Sequence, residues 1–271
     1  MRMVSLNAWA GQVWPAFAAW VPVVQADILC MQEVTRAPMP SPEWLVFADA
    51  ERRLDQRSDL FADVTRLLPA GYQGQFSPAM CGPLTDAAGR VYPSEFGLAI
   101  WVARGLAVTE CRHQFVFGSY RADGWGAPPV PRNMQVMRRF DPASGRYLVV
   151  AHLHGLRDPA GKGDTPDRME QADAVVAGIM ALRKPEDAVI LAGDLNLLPD
   201  SATFARLAAI GLTDLVTKGG HRDTRTSLYP KPQRYADYLL ASDGIEVIDF
   251  TVPALPELSD HRPLILEFRL A

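Results

Sequence analysis

The stretch VILAGDLNLLPDS, residues 189–201, joins an apolar run to a polar end. Four apolar residues lead directly into Gly193, Asp194 and Asn196, and Pro199 follows. A short apolar run bounded by Gly and Pro is typical of a strand buried inside a sheet. A lone Asp or Asn after such a strand is most often a turn or a helix cap. The carboxylate and the carboxamide at this strand end gain significance only if the same pattern recurs elsewhere in the chain.

Similar apolar runs predict the other strands of the fold. Together with the opening run they occupy residues 3–6, 27–31, 97–102, 147–153, 188–193, 235–242 and 262–268. Helix-like spacing of apolar residues predicts helices at 48–68, 166–183 and 200–211. Residues 69–96 and 118–134 follow neither pattern and are predicted to be long irregular loops. Because no repeat or linker interrupts the chain, we expect one α/β domain over residues 1–271.

The composition is that of a globular protein with a sizeable core. Of the 271 residues, 48% are hydrophobic and 21% are charged, and the formal net charge is −4. This acidic balance argues against tight, sequence-blind nucleic-acid binding, although a nuclease with a local basic groove is compatible with it. The sequence shows no secretion signal, no apolar run of about 18 residues and no C-x-x-C pair. We therefore expect a cytoplasmic protein that does not insert into a membrane.

Polar residues stand at or near the ends of most predicted strands. They are Asn7, Gln32 and Glu33, His152 and His154, Asp194 and Asn196, Asp237, and Asp260 and His261. Each has an ordinary explanation when taken alone, as a turn residue, a cap or a core histidine. Together, carboxylates and amides at one edge of a sheet form an oxygen-rich site suited to Mg²⁺, Mn²⁺ or Ca²⁺. Histidines beside such a site supply a general acid or base near neutral pH.

The motifs SLN, LCMQEV, HLHG, GDLN, ADYLL and SDHRPL occur in this order over nearly the whole chain. They resemble the endonuclease/exonuclease/phosphatase superfamily, which includes deoxyribonuclease I, abasic-site endonucleases of the exonuclease III type, inositol-polyphosphate 5-phosphatases and neutral sphingomyelinases. The resemblance implies a four-layer α/β/β/α sandwich, with two packed mixed sheets flanked by helices. It also implies a hydrolase of phosphoester bonds whose active site lies at one edge of the two sheets.

The resemblance implies a divalent-metal site. Glu33 would be the principal ligand with Asn7 beside it, and Asp260 would be a further ligand, either directly or through water. The implied cofactor is Mg²⁺ or Mn²⁺, as one ion or two. Asp260 and His261 are adjacent in sequence and should point in different directions, which argues against a serine-hydrolase triad in the SDH motif.

The same resemblance implies the catalytic roles. His261 would be the general base or would brace the scissile phosphate, and Asp237 would hydrogen-bond it and fix its tautomer. Asp194 would position or deprotonate the attacking water, and Asn196 would donate a hydrogen bond to a phosphate oxygen. The implied reaction is a one-step, in-line attack of water on a phosphoester, assisted by the metal ion.

Two questions stay open around the HLHG motif. Aligning the strand with the family's usual THL selects His152, whereas aligning the following HG selects His154. The two histidines share a face of the strand, and we favour His154 because it is nearer the strand end; the other would be a phosphate contact or a core residue. Arg132 and Asn133 could contact the phosphate, with a solvated loop arginine as the alternative for Arg132.

The sequence leaves the substrate open. A nuclease acting on DNA or RNA is the leading assignment, but the absence of a dense Lys/Arg cluster is equally compatible with a small phosphorylated metabolite or a lipid head group. A catalytically silent binding module is less favoured because the motif residues are all present. The segment GKGD, residues 161–164, lacks the spacing of a phosphate-binding P-loop and is predicted to be a flexible turn. No protein partner can be inferred.

Overall fold

The computed structural model describes residues 1–49 and 52–271. Within these ranges the chain forms two mixed β-sheets that pack face to face, and helices pack on the outer faces of the sheets. The four-layer sandwich implied by the sequence motifs is therefore confirmed.

The strands are numbered along the chain. Those of the described residues are β1 (Arg2–Asn7), β2 (Ile28–Arg36), β3 (Trp44–Ala48), β4 (Arg53–Arg57), β5 (Gln73–Thr85), β6 (Val91–Val102), β7 (Ala107–Phe117), β8 (Arg132–Asp141), β9 (Arg146–His154), β10 (Ala188–Asp194), β11 (Thr213–Asp214), β12 (Asp237–Ala241), β13 (Ile245–Thr251) and β14 (Leu264–Leu270). The first sheet has the order β13-β14-β1-β2-β6-β5-β3-β4, and the second has the order β11-β12-β10-β9-β8-β7. The pairs β1–β2 and β9–β10 are parallel, so each sheet has parallel strands near its middle.

The helices cover the sheets from outside. In the described chain the α-helices are α1 (Trp14–Trp20), α2 (Leu60–Leu67), α3 (Pro166–Met180), α4 (Thr203–Ala209) and α5 (Leu215–Lys218). α3 begins where a side chain satisfies a free backbone donor, because the Thr165 hydroxyl accepts a hydrogen bond from the Arg168 N–H at 3.4 Å. Its buried residues Val175 and Ile179 pack on the second sheet, and α2 contacts β2 of the first sheet.

The core between the sheets explains why several strands are continuously apolar in sequence. Met3 and Ile28 of the first sheet and Val150 and Ile190 of the second belong to one buried cluster. All residues of β10 are buried, because this strand packs against α3 and α4 on one side and the first sheet on the other. Burying an aliphatic side chain of this size contributes about 1.5–3 kcal/mol relative to its exposure.

Two segments differ from the sequence-based predictions. The helix predicted at 48–68 is wrong in its first half, because residues 53–57 form β4 and only Leu60–Leu67 is helical; residues 50 and 51 lie outside the described residues. The loop predicted at 69–96 is also wrong, since most of it forms the hairpin of β5 and β6. Both segments are half-exposed, so their strands alternate between apolar and polar residues and lack the continuous apolar run that marked the central strands.

Gly193 is required by the close approach of β10 to β9. Its φ is +146°, a conformation that L side chains rarely adopt, and a Cβ built there would lie 2.0 Å from the carbonyl oxygen of Leu153. Only glycine fits such a position without moving the backbone. The residue that follows it, Asp194, is thereby directed to the edge of the sheet.

In the part of the chain that the structure describes, no helix is both long enough and apolar enough to cross a membrane.

Candidate active site

Strands of both sheets end at one edge of the sandwich and bring polar side chains together there. Asn7 is the last residue of β1, His154 the last of β9 and Asp194 the last of β10. The antiparallel strand β12 begins at the same edge, so Asp237 lies opposite Asp194, just as His154 does on the other side. The carboxyl ends of parallel strands share an edge, which explains why residues distant in sequence meet.

A bulge in β2 turns Glu33 toward this edge. The pairing of β2 with β6 shifts between Met31 and Val34, and Glu33 has a φ of 54°, in the left-handed region. A bulge re-aims the side chains of a strand, and a left-handed glutamate is an uncommon conformation that the surroundings must stabilise. The carboxylate of Glu33 consequently accepts a hydrogen bond from Asn7 Nδ2 at 3.1 Å.

The acidic residues predicted as metal ligands, Glu33 and Asp260, lie close enough for their charges to interact. Asn7 Nδ2 also donates to Asp194 Oδ2 at 3.1 Å, so one amide links the Glu33 and Asp194 carboxylates. Burial, followed by the nearby Asp260 carboxylate, raises the pKa of Glu33. Converging carboxylate oxygens whose negative charges oppose one another suit a hard divalent cation, which would relieve that repulsion. The Glu33 and Asp260 carboxylates therefore suit Mg²⁺ or Mn²⁺. The Asn7 amide nitrogen faces Glu33 and Asp194, while its Oδ1 accepts a hydrogen bond from the Trp9 N–H at 3.0 Å, so Asn7 orients the carboxylates here and does not present its oxygen to an ion.

His261 and Asp237 form a buried hydrogen-bonded pair. His261 Nδ1 lies 2.8 and 2.9 Å from the two carboxylate oxygens of Asp237, so it donates to Asp237 as Nδ1–H. Its Nε2 faces the other acids, 3.6 Å from Asp194 Oδ2 and 3.6 Å from Asp260 Oδ1. Burial disfavours the charged imidazole, but Asp237 and the other carboxylates outweigh it and raise the pKa of His261.

Asp194 is held as a carboxylate. Burial alone would raise the pKa of Asp194, but the charges of His261 and Arg225 outweigh burial and lower it. Its Oδ1 accepts a hydrogen bond from the Asn196 N–H at 2.9 Å. Together with Asp237 and His261, Asp194 also offers ligand atoms that lie within 4.8 Å of one another among the described residues, which would suit a second ion.

The structure brings His154 and Arg132 into the same cluster. His154 Nε2 lies 3.6 Å from Asp194 Oδ2 and 3.9 Å from Glu33 Oε1. Its Nδ1 lies 3.4 Å from Arg132 Nη1. Burial, followed by the charge of Arg132, lowers the pKa of His154, which keeps the ring neutral. Burial also lowers the pKa of Arg132 to about 10, and the Glu33 and Asp194 charges act against this shift. Arg132 is buried beside the site and is not the solvated loop arginine considered as an alternative.

Two other predicted residues, His152 and Asn133, make their contacts away from the acidic cluster. His152 is completely buried; its Nε2 lies 2.6 Å from Gln135 Oε1 and its Nδ1 lies 3.3 Å from Gln32 Nε2. Its contacts are those of the core alternative, away from the acidic cluster. Asn133 donates to the carbonyl oxygen of Ser77 at 3.0 Å and thus links the two sheets.

Asn196 lies at the site edge with a φ of 54°, a conformation that asparagine tolerates better than most residues. Its Nδ2 lies 3.4 Å from the Gly155 carbonyl oxygen, so the amide is only weakly engaged. This leaves a buried donor beside Asp194.

Two further cations at the site, Arg225 and Lys162, were not recognisable from the sequence. Arg225 Nη1 donates to Asp260 Oδ2 at 2.9 Å and also contacts His261 Nε2. Lys162, from the predicted flexible turn, donates to the Tyr235 carbonyl oxygen, and its charge acts on Asp194 and Asp237. Both lie on loops without periodicity, and neither belongs to a recognisable motif.

Comparison with known proteins bears on the family and the fold. The sequence model of the Endonuclease/Exonuclease/phosphatase family matches residues 4–261. No curated protein sequence matches significantly. Similar solved structures include a mannosyl-6-phosphatase of Bacteroides thetaiotaomicron, which is 18% identical with a TM-score of 0.69 over 100% of both chains. The catalytic domain of human nocturnin with bound sulfate is 18% identical, with a TM-score of 0.65 over 100% of this chain and 93% of that chain. ANGEL2, a 2′,3′-cyclic phosphatase, is 16% identical with a TM-score of 0.67 over 99% and 95%. At such identities the likeness shows a shared fold.

Proposed function

The chain belongs to the endonuclease/exonuclease/phosphatase family, and on that premise we propose that it hydrolyses a phosphoester by in-line attack of water with the help of Mg²⁺ or Mn²⁺. The observation that carries the proposal is the meeting of Asn7, Glu33, Asp194 and the Asp237–His261 pair at one sheet edge. A carboxylate-oriented histidine beside a cluster of acids is the arrangement needed to move a proton next to a divalent ion.

Glu33 and Asp260 would hold the ion, and Asn7 would orient the Glu33 carboxylate through its amide nitrogen. When bound, the ion would neutralise the negative charge that develops on the phosphoryl oxygens and on the leaving group. The carboxylate of Glu33 is well suited to this role because burial and Asp260 raise its pKa. A cation at this position would reduce the repulsion between the Glu33 and Asp260 carboxylates.

Asp194 and His261 would orient and activate the attacking water. The lowered pKa of Asp194 favours its ionised form, which can accept a hydrogen bond from the attacking water and orient it. Asp237 accepts a hydrogen bond from His261 Nδ1–H, so Nε2 faces the site, where Arg225 Nη1 contacts it. When released from that contact, unprotonated Nε2 would accept a proton, and protonated Nε2 would donate a hydrogen bond to a phosphoryl oxygen. His154, Arg132 and Asn196 surround the same space and would contact the other phosphoryl oxygens.

The substrate defines two candidates within this reaction. A nucleic-acid phosphodiester is the candidate favoured by the sequence motifs. A small phosphoester, from a phosphorylated metabolite or a lipid head group, is the second, and it is supported by similar structures described as a mannosyl-6-phosphatase and a 2′,3′-cyclic phosphatase. A silent binding module is less supported, because the predicted metal ligands and the Asp237–His261 pair retain contacts suited to catalysis.

The test is metal-dependent turnover. We expect the wild-type protein to hydrolyse p-nitrophenyl phosphate or bis-p-nitrophenyl phosphate with Mg²⁺ or Mn²⁺ and to lose this activity when EDTA is added. Glu33→Ala should reduce turnover by at least about 100-fold, since the ion loses its main ligand.

Glu170→Ala is the matched control, because Glu170 is an exposed acid on α3. Nucleic acids, sugar phosphates and choline phospholipids should be tested in the same way. Absence of metal-dependent turnover on all of these would favour the binding module.

A further inference from the structure

The loop between α5 and β12 holds the backbone of Arg225 in a fixed position. The Arg225 N–H donates to Asp223 Oδ1 at 2.8 Å. Its carbonyl oxygen accepts from Arg234 Nη2 at 2.9 Å and from Arg262 Nε at 2.8 Å. Arg234 and Arg262 also bind the Asp223 carboxylate. Such a network positions the side chain of Arg225 before any ligand arrives.

The guanidinium of Arg225 lies inside the site with part of its donor capacity unused. Its Cζ lies 4.1 Å from the centroid of the Tyr229 ring, and the side chain is 6% exposed. Nη1 contacts Asp260 and His261, while Nε has no hydrogen-bond partner among the described residues. A buried N–H without a partner is costly and is normally satisfied by a ligand or a water.

Lys162 approaches the same acids from another loop. Its Nζ lies 5.9 Å from the Tyr229 ring centroid, so Tyr229 lies near both cations. Arg168 fixes this loop by donating to the carbonyl oxygens of Gly161 at 2.8 Å and Lys162 at 3.2 Å. The segment predicted to be flexible is thus held in place beside the site.

A purely structural role would make Arg225 a counter-ion of the buried acids. Two features go beyond that role. Arg225 Nη1 contacts His261 Nε2, the histidine atom that faces the acids and is free of Asp237. Arg132, on the other side of the site, also has an Nε without a partner in the described chain. Two buried guanidinium groups with unused donors suit an anion that enters between them.

The shape of the site limits how much of a substrate can enter. Asp194, Asp237, His261 and Arg225 are all nearly fully buried, and the most exposed of the site carboxylates is Glu33, whose side chain is 25% exposed. The end of a molecule can reach such recessed groups, whereas a phosphate flanked by two bulky groups must bring both of them to the opening.

We propose that Arg225, together with Lys162, binds the non-bridging oxygens of a terminal phosphate, so that the preferred substrate is a phosphomonoester. This inference rests on the proposed phosphoester hydrolysis and names its substrate class. Arg225 exchanges its contacts with Asp260 and His261 for phosphate oxygens while its guanidinium remains stacked on Tyr229.

The first test is calorimetric titration of the Mg²⁺-loaded protein with inorganic phosphate. We expect Arg225→Ala to weaken phosphate binding about tenfold or more, the usual loss for a charge-assisted hydrogen bond. Arg222→Ala is the matched control, since Arg222 is an exposed arginine of the same loop, and it should bind phosphate like the wild type. Wild-type phosphate affinity in Arg225→Ala, or no phosphate binding by the wild type, would overturn the proposal.

Arg225→Lys and Lys162→Ala keep the test decisive if Arg225→Ala does not fold. Lysine retains the positive charge but lacks the planar guanidinium group with its several N–H donors. Arg225→Lys should therefore fold and still bind phosphate more weakly than the wild type. Thermal unfolding of each variant separates a structural role from a binding role. Unchanged phosphate affinity in both variants would show that these residues only balance the buried acids.

The second test compares kcat/KM for p-nitrophenyl phosphate and bis-p-nitrophenyl phosphate. The wild type should prefer the monoester, and Arg225→Ala should lose most of that preference. A wild type that prefers the diester refutes the assigned class even if the proposed function holds. Conversely, Arg225-dependent phosphate binding without any metal-dependent turnover would refute the proposed function and leave the phosphate site standing.

Discussion

Glu33 shows at the scale of one residue how the site is maintained against local preference. It has a left-handed φ of 54° and a carboxylate whose pKa is raised by burial and by Asp260. A left-handed conformation costs a residue with a Cβ about 1–2 kcal/mol. Unfavourable conformations of this kind persist where the surrounding structure imposes them, and they are concentrated at functional sites. The bulge in β2 therefore supports the proposal that Glu33 has a function beyond packing.

His152 should make the stability of the protein depend on pH. Burial lowers the pKa of His152 to about 3 from an ordinary value of 6.5. Below pH 6.5 the unfolded chain takes up a proton that the folded protein does not, so the free energy of unfolding falls as the pH falls, until about pH 3. The expected slope is up to about 1.4 kcal/mol per pH unit.

We expect His152→Gln to reduce this slope. The measurement is urea unfolding between roughly pH 4 and 7, where His152 takes up a proton in the unfolded chain but not in the folded protein. His221→Gln, at a partly exposed position, is the control and should retain the wild-type slope. Equal slopes in the wild type and His152→Gln would show that His152 does not titrate on unfolding.

The residues of the site differ in how well the sequence alone predicted them. Asn7, Glu33, Asp194 and His261 stand in motifs, because they end strands whose apolar runs are visible in the sequence. The choice between His152 and His154 was not decidable from spacing, since both face the same side of β9 and only depth in the sheet separates them. Arg225 and Lys162 could not be recognised, because their positions depend on long loops.

At the scale of an element, the turn from β10 into the site depends on Gly193. A Cβ at this position would lie 2.0 Å from the Leu153 carbonyl oxygen, and the φ of +146° disfavours any other residue. We expect Gly193→Ala to lower the free energy of unfolding by at least about 2 kcal/mol, because the added methyl separates β9 from β10.

Urea unfolding provides the measurement, with Gly163→Ala as the control. A Cβ at Gly163 would meet no heavy atom of the described chain within 4 Å, so this variant should change stability by less than about 0.5 kcal/mol. A Gly193→Ala protein as stable as the wild type would contradict the close approach of the two strands.

The elements were predicted best where both faces are buried. The apolar runs at 147–153 and 188–193 correspond closely to β9 and β10. The run predicted at 97–102 is the buried second half of β6, whereas β5 and the first half of β6 were missed, because they are half-exposed and carry Gly, Pro and charged residues. Burial on both faces produces a continuous apolar run, whereas a half-exposed strand needs its partners to be recognised.

At the scale of the whole molecule, the site exists only because two sheets pack with their polar strand ends at the same edge. β1 and β2 belong to one sheet, β9, β10 and β12 to the other, and Asn7 Nδ2 bridges them by binding both Glu33 and Asp194. No local pattern encodes which sheet edges meet. The topology was therefore accessible from the sequence only through resemblance to a known family.

The most direct test of the metal site is a crystal of the protein soaked in Mn²⁺ and measured for anomalous scattering. We expect a peak within about 2–2.5 Å of the Glu33 carboxylate, with Asp260 as a direct or water-mediated ligand, and no such peak in Glu33→Ala. A peak only at Asp194 and Asp237, with none in the coordination shell of Glu33, or no peak at saturating Mn²⁺, would contradict this assignment.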